Sequence, residues 1–135
     1  MKLLTVLLLI LPVHVLACSC IGFTDEKAYA SHYNVFIGKL TEIAIHDSQY
    51  ATGYLDPIFV AKGKVGSRSP LKAGGGMCSQ TEMLKPNALY LVYGKEGEAA
   101  TVSQCTATRR VKAEDLDAVV EMLIKLKGSA QVVEE

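Results

Sequence analysis

Four cysteines have the most restrictive chemistry in this chain, and they are Cys18, Cys20, Cys78 and Cys105. Such a set can form disulfides, bind zinc or exchange disulfides with other thiols. An even number of cysteines in an exported chain is typical of two disulfides. A bridge between Cys18 and Cys20 would be strained because one residue separates them. We therefore expect two long-range bridges, and the spacing leaves the partner of each cysteine open.

The segment before Cys18 has the composition of an export signal. It begins with a positive charge, continues with an almost unbroken apolar run over residues 3–11, and ends with β-branched and small residues at the positions that a signal peptidase reads. The apolar run is too short to remain as a membrane-spanning helix. We expect residues 1–17 to be a cleaved signal peptide, which makes Cys18 the first residue of one secreted or periplasmic domain, residues 18–135.

Lipid attachment to Cys18 is the alternative, because a lipoprotein signal also places a cysteine directly after the cleavage site. Ala17 fits such a signal and Val15 is tolerated, but the bulky Leu16 fits poorly. A lipid on the sulfur would also leave an odd thiol in an exported protein, which the even cysteine count argues against. We expect an unmodified amino terminus.

The charge balance excludes several kinds of partner. The chain carries 14 basic and 14 acidic residues, so it has no basic field for nucleic acid and no polybasic run for anionic lipid. We expect no nucleic-acid partner, no membrane span, no cofactor and a monomeric protein. A zinc site made of the four cysteines is a minor alternative, because an oxidising compartment favours bridges.

The sequence contains none of the motifs that usually carry catalysis. His32 and His46 are the histidines that remain after processing, and neither lies in a His-Glu-x-x-His motif. No Gly-x-Ser-x-Gly motif is present, and the glycines at 74–76 lack the Lys-Ser/Thr of a phosphate-binding loop. Cys18 and Cys20 do not have the Cys-x-x-Cys spacing of thioredoxin-like sites. We do not expect an enzyme.

The pattern of apolar residues predicts a mainly β domain with a short helix near its start. Thr24 followed by two acids predicts a helix over residues 25–31. Gly38 is expected to bend the first strand, and Asp56 with Pro57 to interrupt the second at an edge or a bulge. The predicted strands cover residues 33–45, 50–54 with 58–61, 70–78, 89–93 and 100–105, with residues 94–97 as a hairpin between the last two.

From Ala113 onward the apolar period becomes that of a helix. The residues that share one helical face are Leu116, Val119, Val120, Leu123 and Ile124. Gly128 is expected to end this helix and to begin a loose tail over residues 128–135. Five strands followed by a helix predict a small closed or nearly closed barrel.

Several short motifs occur together in one order. They are the Cys-x-Cys start at Cys18, residues 35–39, Lys62 with Gly63, Cys78 with Glu82, residues 90–93, and Cys105 followed by Thr108 and Arg109. Over residues 18–126 the chain resembles the netrin-like domain of the tissue inhibitors of metalloproteinases (TIMP), and more closely their short bacterial relatives. The resemblance implies a five-stranded OB-fold barrel and the disulfides Cys18–Cys78 and Cys20–Cys105.

The resemblance also implies a function. In those inhibitors the mature N-terminal cysteine chelates the catalytic zinc of the protease through its α-amine and carbonyl, a role that falls on Cys18 here. Ser19 would point into the primed-side specificity pocket, and Ile21 would continue along the cleft. The protease-binding residues that the resemblance implies are Cys18, Ser19, Cys20, Ile21, Met77 and Ser79. The expected function is inhibition of zinc metalloendopeptidases.

The sequence departs from the animal inhibitors in three respects. Its cysteines do not provide the third disulfide of their N-terminal domain or a six-cysteine C-terminal domain, and the residues before Cys78 are glycines rather than a regular strand. These differences leave a second function open. The chain can also be interpreted as a non-inhibitory, disulfide-stapled envelope or extracellular protein-binding module that keeps only the fold.

Overall fold

Two long strands, β1 (Asn34–Ile45) and β2 (Tyr50–Lys62), pair as an antiparallel hairpin at the centre of the sheet. The computed structural model describes residues 18, 20, 22–76 and 78–133. The remaining elements are α1 (Asp25–Ser31), β3 (Ser69–Gly74), β4 (Leu89–Gly94), β5 (Ala100–Thr101), β6 (Arg109–Val111) and α2 (Leu116–Val133), with 3₁₀ turns at Thr81–Met83 and Ala113–Asp115. The strand order in the sheet is β5-β3-β2-β1-β4-β6.

The hairpin is irregular at Gly38, where the sequence predicts a bend. Ile37 pairs with Phe59 and Gly38 with Pro57, so Ile58 is an extra residue on β2 and forms a bulge. A bulge accommodates a proline, which cannot donate to the ladder, and increases the local twist of the sheet. The predicted interruption at Pro57 is therefore a bulge inside one continuous strand.

Alternate side chains of β1 enter two separate cores, as the two-residue period of a strand requires. Val35 and Ile37 belong to the core between the sheet and the two helices. Phe36 and Leu40 belong to the core inside the curled sheet. Other members of the first core are Tyr29, Leu91 and Leu123, and other members of the second are Leu55, Leu71 and Tyr90.

The two edge strands of the sheet, β5 and β6, are short and follow each other in the sequence. β5 pairs in parallel with β3, and β6 pairs antiparallel with β4. Because residues 102–108 join β5 to β6, this stretch connects both edges and curls the sheet into a half barrel. The expected mainly β, barrel-like fold with a short N-terminal helix and a C-terminal helix is confirmed, and the described residues form six strands rather than the predicted five.

The predicted hairpin between residues 89–93 and 100–105 is wrong, because β5 ends at Thr101 and β4 pairs with β1 and β6 instead. In the turn that follows, the amides of Ser103 and Cys105 bond to side chains rather than to a neighbouring strand. The Cys105 amide donates to Ser103 Oγ (2.9 Å), and the Ser103 amide donates to Thr106 Oγ1 (3.1 Å). Such local bonds compete with strand pairing. Residues 103–106 therefore form a turn that holds Cys105.

Two further predicted ends are corrected by the structure. β3 ends at Gly74 rather than near residue 78, since Gly74 and Gly75 have φ values of 113° and 91°, which glycine adopts most readily. α2 continues through Gly128 to Val133, so the predicted tail is helical as far as the structure describes it. A glycine inside a helix costs about 1 kcal/mol relative to alanine. That cost alone does not end a helix when no proline follows.

Candidate functional site

Two disulfides join the start of the described chain to the barrel. Cys18 bridges Cys78, with 5.4 Å between the two Cα atoms, and Cys20 bridges Cys105, with 5.1 Å. This is the pairing that the resemblance implies. All four cysteines are bridged, so they do not form the zinc site considered as an alternative.

The two disulfides end on chain segments that are hydrogen-bonded to each other. The Gln104 amide donates to the Cys78 carbonyl (2.8 Å), and the Ser79 hydroxyl donates to the Val102 carbonyl (2.6 Å). The segment of Cys78 and the segment that leads to Cys105 therefore form one unit. Both bridges of the N-terminal segment are anchored on that unit.

Ser79 stabilises this unit from inside the fold. The residue is 8% exposed, and its hydroxyl accepts a hydrogen bond from the Gly74 amide (3.0 Å) while it donates to Val102. The buried hydroxyl therefore has a partner both as a donor and as an acceptor of hydrogen bonds. The resemblance implies that Ser79 contacts a protease, but the structure turns its side chain into the fold.

The other predicted contact residues are only partly described. Cys20 is exposed and Cys18 is half-buried. Ser19, Ile21 and Met77 lie outside the residues that the structure describes, as does the predicted signal peptide. The structure thus brings together the half-cystines, and the roles of Ser19, Ile21 and Met77 stay predictions.

A cluster of three polar residues attaches α1 to the sheet. Arg109 donates two hydrogen bonds to the Asp25 carboxylate, of 2.8 and 3.1 Å, and the Tyr93 hydroxyl donates a third of 2.7 Å. Burial by itself raises the pKa of Asp25, but the hydrogen bonds from Arg109 and Tyr93 and the charge of Arg109 outweigh it and hold that pKa below its ordinary value. Burial, together with the neighbouring carboxylate, raises the pKa of Tyr93.

The sequence carries little signal for this cluster. Asp25 is recognisable only as an acid in the first turn of a helix, and Arg109 only as part of the motif after Cys105. These two residues are 84 positions apart, so no local periodicity pairs them. Because the side chains of Arg109 and Tyr93 both bond to the Asp25 carboxylate, we assign the cluster a structural role.

A cavity of about 470 Å³ lies between α1 and the turn that carries Cys105. Its charged side chains are Lys27, Lys95 and Glu98, and the imidazole of His32 also lines it. Two lysines against one glutamate give the cavity an excess of positive charge. This charge lies beside the disulfide that Cys105 forms.

Within residues 18, 20, 22–76 and 78–133, no group of three or more His, Cys, Asp and Glu side chains could hold a metal ion. The helices of this described part include none that is long and apolar enough to cross a membrane. The described arrangement therefore consists of two disulfides, a buried hydroxyl that links their partners, and a basic cavity beside one of them.

Comparison with known proteins does not assign the chain to a family, since no protein-family model matches it and no curated protein matches it. The netrin-like resemblance therefore stays a prediction that depends on the motifs quoted above. The two disulfides indicate an extracytoplasmic location, because such bridges persist in oxidising compartments.

Proposed function

We propose that this protein is an exported inhibitor of zinc metalloendopeptidases, and that Cys18 chelates the zinc of the protease through its α-amine and carbonyl. The proposal depends on removal of residues 1–17 by the ordinary signal peptidase, which creates the amine. The observation that carries it is the double anchoring of the N-terminal segment through Cys18–Cys78 and Cys20–Cys105. The motifs that resemble the netrin-like inhibitors supply the mechanism.

The chemistry of zinc makes this mechanism reasonable. A catalytic zinc has three protein ligands and an open position that water fills. An amine and the carbonyl of the same residue can replace that water as a five-membered chelate. The amine has to be unprotonated, and the pKa of a free α-amine is about 8, so deprotonation costs little near neutral pH.

The two bridges also lower the cost of binding. Ordering the backbone of one residue costs about 1–2 kcal/mol, so a free three-residue segment would lose about 3–6 kcal/mol when it bound. Cys18 and Cys20 are already attached to a hydrogen-bonded unit through Cys78 and Cys105. Most of that cost is therefore met during folding, which favours affinity. A lipid on Cys18 is incompatible with this arrangement, because its sulfur is used in a bridge.

The test compares three forms of the protein against a panel of zinc endopeptidases. One form begins at Cys18, the second carries one additional alanine before Cys18, and the third carries that alanine after Glu135 as a matched control. The additional N-terminal alanine converts the Cys18 amine into an amide nitrogen, which is a poor zinc ligand. We expect the first and third forms to inhibit and the second to fail, with the same unfolding midpoint for all three. Equal inhibition by all three forms would contradict chelation.

The position of Ser79 favours a second candidate, the non-inhibitory protein-binding module. A residue that the inhibitor mechanism expects at the protease contact has its side chain inside the fold, hydrogen-bonded to Val102. The glycines at 74 and 75 also end β3 before it reaches Cys78. Absence of inhibition by the form that begins at Cys18, at micromolar concentration across the panel, would favour this module.

A further inference from the structure

We infer that the Cys20–Cys105 disulfide is a site of thiol–disulfide exchange with small anionic thiols such as glutathione. The two disulfides differ in exposure: Cys20 and Cys105 are both exposed, whereas Cys18 and Cys78 are both half-buried. The rate of exchange depends on the access of a thiolate to the sulfur atoms. The more exposed bridge is therefore the first to react, whether or not the protein inhibits a protease.

The residues beside the two bridges differ in the same direction. Ser79, which follows Cys78, is buried. Gln104, which precedes Cys105, is exposed, and Thr106, which follows it, is half-buried. The hydrogen bond from the Gln104 amide to the Cys78 carbonyl supports both segments equally, so it does not distinguish the two bridges. The side chains around Cys105 therefore leave more room for an attacking thiolate than those around Cys78.

The cavity beside Cys105 determines which thiols are favoured. Lys27, Lys95 and Glu98 line it, which leaves an excess of positive charge. A cleft whose lining carries an excess of one sign raises the local concentration of ligands of the opposite sign. Glutathione has a net negative charge, which increases when its thiol ionises, so the cavity attracts the reactive form. A cationic thiol such as cysteamine is repelled.

The step exchanges one disulfide for another and needs no separate oxidant. The glutathione thiolate attacks Cys105 Sγ, because Cys105 lines the cavity. A sulfur–sulfur bond forms between glutathione and Cys105, and the bond between Cys105 and Cys20 breaks. Cys20 leaves as a thiolate and takes a proton from water. The Cys18–Cys78 bridge still holds the N-terminal segment at one point.

The first experiment determines which bridge opens. The mature protein is incubated with reduced glutathione at neutral pH and low ionic strength, alkylated at early times, and mapped by mass spectrometry with fragmentation that distinguishes Cys18 from Cys20. We expect glutathione on Cys105, an alkylated Cys20 and an intact Cys18–Cys78 bridge. Opening of Cys18–Cys78 first or at the same rate, or glutathione on Cys20 instead of Cys105, would overturn the inference.

The second experiment tests the charge preference. The rates with glutathione and with cysteamine are each divided by the rate of the same thiol with a small peptide disulfide. We expect the relative rate of glutathione to be about tenfold higher at low salt, and the difference to disappear when salt is added. Equal relative rates at low salt would overturn the inference.

A pair of double variants separates the cavity from the overall charge. Lys27→Gln with Lys95→Gln should abolish the preference for glutathione, because both side chains line the cavity. Lys39→Gln with Lys64→Gln changes the net charge equally at exposed positions outside it and should leave the preference intact. The same loss in both double variants would show that the cavity does not select the thiol, and would also overturn the inference.

Discussion

Replacing Asp25 with asparagine removes the charge at the centre of the cluster that attaches α1 to the sheet. The carboxylate accepts two hydrogen bonds from Arg109 and one from Tyr93. A hydrogen bond to a charged group contributes about 1.5–3 kcal/mol. The side chains of Arg109 and Asp25 are 41% and 24% exposed, so solvent screens part of the attraction. We therefore expect Asp25→Asn to lower the free energy of unfolding by about 2 kcal/mol at neutral pH rather than by the sum of three such bonds.

The effect of this substitution should depend on pH. The pKa of Asp25 in the folded protein lies below the reference value of 3.8. A carboxylate with a lowered folded-state pKa contributes stability that is present above the unfolded pKa and is lost as the pH falls through the folded pKa. The difference between the two proteins should therefore be constant near neutral pH and decrease below about pH 4, where the native carboxylate becomes protonated.

Urea unfolding followed by circular dichroism, from neutral to strongly acidic pH, measures both effects. Asp56→Asn is the control, because Asp56 is an exposed carboxylate on β2 outside the cluster. If Asp25→Asn unfolds with the same free energy as Asp56→Asn at neutral pH, the cluster does not stabilise the fold. If the difference persists unchanged in strong acid, the charge of Asp25 is not its cause.

Three further substitutions test other parts of the structure. Cys105→Ser should lower the free energy of unfolding by about 2–5 kcal/mol, as loss of a native bridge in a small exported domain usually does; unchanged thermal and denaturant midpoints would show that the bridge is irrelevant to stability. Ser79→Ala should cost about 1–3 kcal/mol, because it leaves the Val102 carbonyl and the Gly74 amide without their partner; hydrogen exchange at the Gly74 amide should accelerate, and unchanged exchange would argue against the role of the hydroxyl. Gly128→Ala should stabilise the protein by up to about 1 kcal/mol, because position 128 is inside α2; a loss of stability would indicate that Gly128 ends the helix after all.

The long elements could be predicted because their signals are local. The Thr24 cap predicts α1, and the alternation of apolar residues predicts β1 and the greater part of β2. The edge strands depend on contacts that no local pattern contains. β5 has two residues and β6 has three, and both exist because β3 and β4 are beside them.

The candidate site could be predicted only in part, and for the same reason. The presence of two long-range bridges follows from the number and spacing of the cysteines, whereas their pairing required the resemblance. The inward side chain of Ser79 depends on its bond to Val102, 23 residues away. The ion pair between Asp25 and Arg109 spans 84 residues. Such partners become visible only when the barrel is assembled.

Direct coordination of zinc by Cys18 is the central claim, and the absorption spectrum of a cobalt-substituted target protease tests it most directly. Cobalt takes the place of zinc, and its visible bands report the ligands that it binds. The form that begins at Cys18 should change these bands as it inhibits, because its amine and carbonyl replace the bound water. The form with an additional alanine before Cys18 should leave the bands unchanged. Inhibition by the processed form without a change in the cobalt spectrum, or no response from any protease of the panel, would contradict the proposed mechanism.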